Sequence, residues 1–183
     1  MNFSEHYGVE GKHAFLSPSQ YHWINYDADK LRERYATWRA AERGTKMHAL
    51  AAELIDLGVK LPANHSTLSM YVNDAIKYRM SPERVLYFSE NCFGTADAIS
   101  FRRNKLRIHD LKTGVHKASM HQLEVYEAIF CLEYDVDPFE ISTELRIYQN
   151  DEIMREEPDP LAITELMNKI IFFNDIINGF HEE

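Results

Sequence analysis

Two aspartates thirteen positions apart, Asp97 and Asp110, constrain the fold of this 183-residue chain more than any other feature. Between them, the segment from Phe101 to Leu106 is typical of a strand end, a polar turn and the start of a second strand. Because the arms of such a hairpin lie roughly 5 Å apart, the two carboxylates are expected to meet at one end of it. The sequence therefore predicts an antiparallel strand pair with two acids close together.

A lysine follows the second acid. Lys112 lies two residues after Asp110, and the period of two along a strand puts both side chains on the same face. Two carboxylates beside an ammonium group are suited to hold a divalent cation and to act on a water molecule bound to it. The sequence therefore predicts a metal site at this end of the hairpin.

The rest of the chain alternates between helical and strand-like patterns. Helical spacing, with a break at Gly44, predicts helices over 20–25, 29–42, 45–57, 66–80, 119–133 and 159–178. Alternation and short apolar runs predict strands over 84–89, 92–101, 105–111 and 140–149. This order predicts an α/β fold in which a central mixed β-sheet of about four strands is flanked by helices.

The length of the chain predicts a single domain over 1–183 with a buried core. Residues 1–15 are polar and irregular, which indicates a loose N-terminal arm, and 159–183 is expected to form a C-terminal helix. Hydrophobic residues make up 45% of the sequence, which excludes a disordered chain. Because no membrane-length apolar run and no signal segment are visible, we expect a cytoplasmic protein with no membrane partner.

Charge is distributed unevenly along the chain, whose net charge is -9. Residues 101–117 contain six basic residues and one acid, and residues 30–46 contain six basic residues and two acids. Residues 124–159, in contrast, contain two basic residues and twelve acids. A basic face with an acidic back suits DNA binding, and the alternative is that both faces are ordinary solvated surface.

The two acids and the lysine belong to a longer ordered pattern. After Asp97 and twelve intervening residues comes Asp110-Leu-Lys-Thr-Gly114, and a predicted helix then carries Gln122 and Tyr126 four positions apart. A strand that reads D-x-K-T-G, followed by Q-x-x-x-Y on a helix, is more specific than D-x-K alone.

Two upstream segments extend the pattern. Residues 44–48 read Gly-Thr-Lys-Met-His, which matches a G-T-x-x-H element, and residues 16–20 read Leu-Ser-Pro-Ser-Gln, which matches a leading serine segment. With these four elements in order over residues 17–126, the chain resembles the PD-(D/E)xK nuclease superfamily, and most of all its RecB-like and Cas4-like branch. The resemblance implies a restriction-endonuclease-like core.

The resemblance also implies roles for individual residues. The ligands of Mg²⁺, which Mn²⁺ is expected to replace, would be His48, Asp97, Asp110 and the carbonyl of Leu111. The catalytic residues would be Asp97, Asp110, Lys112, Gln122 and Tyr126. Nucleic acid would be contacted by Arg102, Arg103, Thr113 and Lys117.

His48 has two interpretations. It borders the apolar stripe of its predicted helix, where a histidine is often a hydrogen-bonded residue at the edge of the core. The G-T-x-x-H context favours a metal ligand instead. Glu53, five positions later, is expected about 140° around the helix and facing away, which leaves a second helical ligand open.

The function that the resemblance implies is metal-dependent hydrolysis of DNA phosphodiester bonds, by an exonuclease in DNA recombination, repair or phage DNA processing. A homo-oligomer and a recombination partner protein are compatible with it. Cas4-like relatives carry a four-cysteine iron-sulfur cluster. This chain has only Cys92 and Cys131, far apart, so we expect no cluster, no disulfide framework and no zinc site.

Three alternatives stay open. The first is a catalytically idle nucleic-acid- or protein-binding domain that retains the nuclease fold. The second is an enzyme of this fold that acts on RNA or on a structured junction. The third is a structural α/β protein whose charged residues belong only to its surface.

Overall fold

The computed structural model describes residues 7–9 and 14–180, and backbone contacts divide the chain into two compact units, 1–45 and 46–183. The predicted N-terminal arm, 1–15, falls mostly outside the described residues. The single nuclease domain stays a prediction. Within the described ranges, none of the helices combines the length and the apolarity that crossing a membrane requires.

The larger unit contains a mixed five-stranded β-sheet, which confirms the predicted α/β class. Its strands lie in the order β1-β2-β3-β4-β5, which is also their order in the sequence. Pairing is antiparallel throughout except between β3 and β4, which are parallel and joined through a helix. The strands are β1 (Ser81–Ser89), β2 (Cys92–Arg102), β3 (Lys105–Leu111), β4 (Ser142–Gln149) and β5 (Glu152–Glu156).

Two of the three hairpins of the sheet have two-residue turns with left-handed backbone. Arg103 and Asn104 join β2 to β3 with φ angles of 51° and 55°, and Asn150 and Asp151 join β4 to β5 with 52° and 60°. Left-handed backbone at both central residues matches the right-handed twist of the strands. The first turn confirms the predicted hairpin. The second corrects the prediction of about four strands, because Asn150-Asp151 opens a short fifth strand.

Helices cover both faces of the sheet and enclose two apolar clusters. The helices are α1 (Ala28–Leu57), α2 (Thr67–Lys77), α3 (His121–Tyr134) and α4 (Pro160–Gly179). Leu123 and Ile129 of α3 belong to one cluster with Leu106 and Ile108 of β3. The other cluster joins residues of α2 to the sheet and to the C-terminal part of α1, and includes Ala51, Tyr71, Val72, Leu111 and Tyr148. These clusters hold the strand ends that carry the predicted site.

The predicted helix break at Gly44 is wrong. One helix, α1, continues through that glycine, so the helices predicted over 29–42 and 45–57 are a single element. A glycine inside a helix costs only about 1 kcal/mol, which the backbone hydrogen bonds of a 30-residue helix offset.

The smaller unit has its own aromatic group. The ring of Phe15 lies 5.1 Å from that of Tyr35 and 5.8 Å from that of Trp38, and the latter two rings are 5.7 Å apart. The short helix predicted over 20–25 is a 3-10 helix, Pro18–Asn25. The Ser17 hydroxyl contacts the Ser19 hydroxyl and caps no backbone N–H.

A carboxyl group is buried between α3 and β4. Glu127 is 2% exposed, and its Oε1 accepts a hydrogen bond from the Thr143 hydroxyl at 2.6 Å. Burial raises the pKa of Glu127 from 4.5 to about 7, although the Thr143 hydrogen bond acts in the opposite direction. The folded state therefore holds a proton that the unfolded chain releases at lower pH.

This proton predicts a pH-dependent stability. Because the folded pKa lies above the unfolded one, the stabilisation is complete below pH 4.5 and is lost as the pH rises to about 7, with a total of about 3 kcal/mol. Glu127→Gln keeps an acceptor for Thr143 and removes the titration. Urea unfolding from pH 4.5 to 8 should therefore show wild type losing stability relative to this variant. The control is Glu165→Gln, at an exposed acid of α4; a constant difference between wild type and Glu127→Gln would contradict the account.

Candidate metal centre

Four elements of the larger unit bring acidic and imidazole side chains to one place. The register pairs Ala98 with His109, so Asp97 and Asp110 are the next residues along β2 and β3. On the other side of β2, Pro82 pairs with Ala98 and Arg84 with Ala96, which puts Glu83 of β1 opposite Asp97. The C-terminal part of α1 supplies His48. The structure therefore brings His48 to Asp97 and places Asp110 next to Asp97 on the neighbouring strand.

Asp97 lies at the centre of this group. Its Oδ2 accepts a hydrogen bond from the backbone N–H of Leu111 at 2.8 Å and lies 3.3 Å from His48 Nδ1. One potential ligand atom from each of His48, Glu83 and Asp97 lies within 4.8 Å of the other two. This separation suits three groups that share one bound cation.

Asp110 is buried beside Asp97. It is 3% exposed, and its Oδ1 lies 3.0 Å from the Lys112 ammonium group. Its Oδ2 is buried and has no hydrogen-bond partner among the residues that the structure describes. A buried carboxylate oxygen without a partner is costly, and a bound cation would satisfy it.

The pKa values of His48, Asp110 and Glu83 are all raised, which indicates an excess of negative charge at the site. The hydrogen bond to Asp97 raises the pKa of His48 above 6.5 against the effect of burial, and the charges of Asp97, Asp110 and Glu83 add to it. Burial, and then the charge of Asp97, raise the pKa of both Asp110 and Glu83. Three carboxylates and an imidazole with these mutual effects fit a divalent cation, since its charge would relieve all of them.

Lys112 is fixed from two sides. Besides Asp110, its ammonium group contacts Oε1 of Gln122 on α3 at 2.9 Å. Gln122 and Lys112 were both predicted at the site, and the structure brings them together. The arrangement holds one positive charge at the rim of the acidic group, where it can reach a bound anion.

Tyr126 contacts strand β2 close to Asp97. Its hydroxyl donates a hydrogen bond to the carbonyl of Thr95, two residues before Asp97, at 2.7 Å. A Cβ on Gly94 would lie 2.9 Å from the Tyr126 ring, so the glycine permits this close packing. Tyr126 thus attaches α3 to β2, and the structure gives it no contact with the acids themselves.

The four residues predicted to contact nucleic acid lie in two places. Thr113 and Lys117 are in the exposed segment after Lys112, which Gln149 holds through the carbonyls of Gly114 and His116. Arg102 and Arg103 are at the β2–β3 turn, about 20 Å along the strand from Asp97. The structure therefore places Arg102 and Arg103 away from the acidic group, whereas Thr113 and Lys117 follow Lys112 in the chain.

One member of the group, Glu83, was missed by the sequence analysis. The first strand was expected to begin at residue 84, whereas β1 begins at Ser81. Glu83 is exposed and has a φ of 48°, a conformation that few non-glycine residues adopt. Glu53 is exposed, as expected, and is not part of the group. For Leu111, the structure gives a contact of its N–H, so the role of its carbonyl stays a prediction.

Comparisons with known proteins add little. No protein-family profile matches the chain, and no curated protein matches it. A solved structure described as "Crystal structure of SSO0001" is similar over 78% of this chain, with 18% sequence identity and a TM-score of 0.35. This chain covers 64% of the length of that protein. At such a low TM-score, the similarity carries no argument about fold or function.

The geometry predicts that Glu83 contributes to metal affinity. Glu83→Gln removes one carboxylate without changing the size of the side chain, so Mn²⁺ should bind about tenfold more weakly or worse. Isothermal titration calorimetry on wild type and variant measures this. Glu90→Gln, at the exposed turn after β1, is the matched control and should bind Mn²⁺ as wild type does. Equal affinities for Glu83→Gln and wild type would remove Glu83 from the site.

Proposed function

We propose that this protein is a divalent-metal-dependent nuclease that hydrolyses phosphodiester bonds in DNA. The observation that carries the proposal is the group of His48, Glu83 and Asp97, with Asp110 beside Asp97 on the neighbouring strand and contacted by the Lys112 ammonium. A concentrated negative site that fits a cation, beside a positive charge for an anion, suits hydrolysis of a phosphate ester.

The fold and the motifs support the same class. The D-x-K residues lie at the end of β3, and the sheet passes from antiparallel β1–β2–β3 to a parallel β4 through α3. We propose that this is a restriction-endonuclease-like core, as the motif order implies. Thr113 and Lys117, next to Lys112 in sequence, are the proposed contacts to the strand that is cut.

The side chains of the group would hold the ion and fix its position. His48, Glu83, Asp97 and Asp110 are the proposed ligands of Mg²⁺ or Mn²⁺, and the imidazole favours Mn²⁺. When bound, such an ion polarises a phosphate and lowers the pKa of a coordinated water. His48 must be neutral to bind metal. Because Asp97 raises its pKa, metal affinity should increase as the pH rises above the ordinary value of 6.5.

Lys112 is the proposed electrostatic catalyst. Asp110 and Gln122 hold its ammonium group at 3.0 Å and 2.9 Å, so little reorganisation is needed when negative charge develops on the phosphate. Gln122 acts through Lys112 and is a positioning residue. Tyr126 acts further away, by fixing β2 next to Asp97.

The first test is activity with and without the metal group. Purified protein with Mg²⁺ or Mn²⁺ should degrade DNA, EDTA should stop it, and Asp110→Ala should be folded and inactive. Linear and circular substrates, single- and double-stranded, distinguish exonuclease from endonuclease. Wild-type activity in Asp110→Ala would refute the site. Binding of DNA by an inactive wild type would favour the catalytically idle domain, and cutting of RNA alone would change the substrate class.

The second test separates turnover from metal binding. Lys112→Ala should lose a factor of about 10² or more in kcat, because a fixed charge at the phosphate is removed. Its Mn²⁺ affinity should remain, since the lysine is not a ligand. Lys60→Ala, at an exposed lysine of the same unit, is the control. A Lys112→Ala variant with wild-type kcat would contradict the proposed role of the ammonium group.

A further inference from the structure

A second charged site lies at the other end of the sheet. An open pocket of about 680 Å³ is lined by Tyr78, Ser142 and six cationic side chains. The cations come from the end of α2, the β2–β3 turn and the first half of β3, and are Lys77, Arg79, Arg102, Arg103, Lys105 and Arg107. Arg107 is three residues from Asp110, about 10 Å along β3, and the turn is about 20 Å from Asp97. This basic pocket is therefore separate from the acidic group.

The positive charge of the basic pocket is not balanced locally. None of the described residues that line it is acidic. Glu144 lies next to it and contacts Arg107 at 3.3 Å, but the same carboxylate also contacts Arg146 at 3.1 Å and Arg155 at 3.0 Å. Arg146 and Arg155 also contact carboxylates of their own, Asp74 and Glu157, so the local imbalance lies in the pocket lining itself, where six cations face no acid among the described lining residues. In a chain of net charge -9, six of the 20 lysines and arginines line this one pocket.

Several side chains contact Tyr78, the aromatic residue in the lining of the basic pocket. The Tyr78 ring has the Arg107 guanidinium 4.4 Å from its centre and the Lys77 ammonium 5.2 Å from it. Arg146 donates a hydrogen bond to the Tyr78 hydroxyl at 3.2 Å and contacts Asp74 of α2 at 2.8 Å. Two of the six lining cations therefore contact one aromatic ring, and Lys105 and Arg107 are half-buried, whereas the other four are exposed.

Two arginines of the basic pocket have an uncommon backbone conformation. Arg79 has a φ of 52° and Arg103 a φ of 51°, in the left-handed region that costs a residue with a Cβ roughly 1 kcal/mol or more. Glycine or asparagine would adopt this conformation at lower cost. The hairpin turn and the turn that ends α2 impose these angles, and they place one arginine from each turn in the lining of the basic pocket.

We propose that the basic pocket binds the sugar-phosphate backbone of DNA away from the cut site, an inference that rests on the proposed nuclease function. Four of the six cations are arginines, whose planar guanidinium groups match phosphate geometry. The distance of about 20 Å from Asp97 corresponds to about six nucleotides at 3.4 Å each. The pocket therefore holds the substrate strand or duplex several nucleotides from the scissile phosphate, and long substrates gain affinity that short ones lack.

The experiment compares two double variants that lose the same charge. Arg102→Gln with Arg103→Asn neutralises the turn, and asparagine tolerates the left-handed conformation at position 103. Lys60→Gln with Lys169→Gln removes two exposed charges elsewhere. Binding of a 20-base-pair duplex is measured in EDTA over a range of salt concentrations. Hydrolysis of thymidine 5′-(p-nitrophenyl phosphate), which is too short to reach the pocket, is measured with Mn²⁺.

The turn variant should bind the duplex about tenfold more weakly, and its salt slope should fall by about 2, one unit for each lost phosphate contact. Its hydrolysis of the short ester should equal that of wild type, and the control should resemble wild type in all three measurements. Unchanged affinity and slope would overturn the proposal. Two further results would overturn the proposal. One is that inorganic phosphate competes with the duplex as well as DNA does at the same concentration of phosphate groups. The other is that the turn variant loses binding of polyglutamate, a polyanion without phosphate, and keeps its binding of DNA. If wild type hydrolyses nothing while the turn variant loses DNA binding, the nuclease function fails and the pocket assignment is sustained.

Discussion

The candidate site depends on the contacts that the Asp97 carboxylate makes with two neighbouring elements. This carboxylate contacts the Leu111 N–H of β3 and the His48 imidazole of α1, and its charge raises the pKa of Asp110 and Glu83. Groups of like charge repel one another, so the rest of the fold must hold them together. Sheet hydrogen bonds and the two apolar clusters do so, and the repulsion that remains is what a cation would relieve.

The division of charge along the sheet gives the molecule two oppositely charged ends. The end with Asp97 and Asp110 attracts a cation, and the β2–β3 turn end attracts an anion. Each end is fixed by contacts to helices: Gln122 and Tyr126 of α3 act at the first, and Asp74 of α2 acts through Arg146 at the second. The proposed nucleic-acid substrate, with its phosphates and bound cations, would be complementary to both ends at once.

The sequence predicted the parts of the site that depend on local patterns. Strand β3 has the predicted bounds, and the polar turn between β2 and β3 sets the register that brings Asp97 and Asp110 together. Glu83 was not predicted, because its position depends on the pairing of β1 with β2 and not on a motif. The fifth strand, Glu152–Glu156, is short and almost wholly exposed, so it has no apolar alternation by which the sequence could predict it. A helix break at Gly44 follows from local propensity, which takes no account of the backbone hydrogen bonds around the glycine. The separation of Arg102 and Arg103 from the acids also follows only from the strand geometry.

Anomalous diffraction from crystals of this protein soaked in Mn²⁺ would locate the bound ion. We expect a peak about 2 Å from the His48 imidazole and from carboxylate oxygens of Asp97 and Asp110, with Glu83 as a further ligand. The Asp110 oxygen that lacks a partner should be among the ligands. A fully soaked crystal with no peak among these side chains, or with its strongest peak elsewhere on the molecule, would contradict the account.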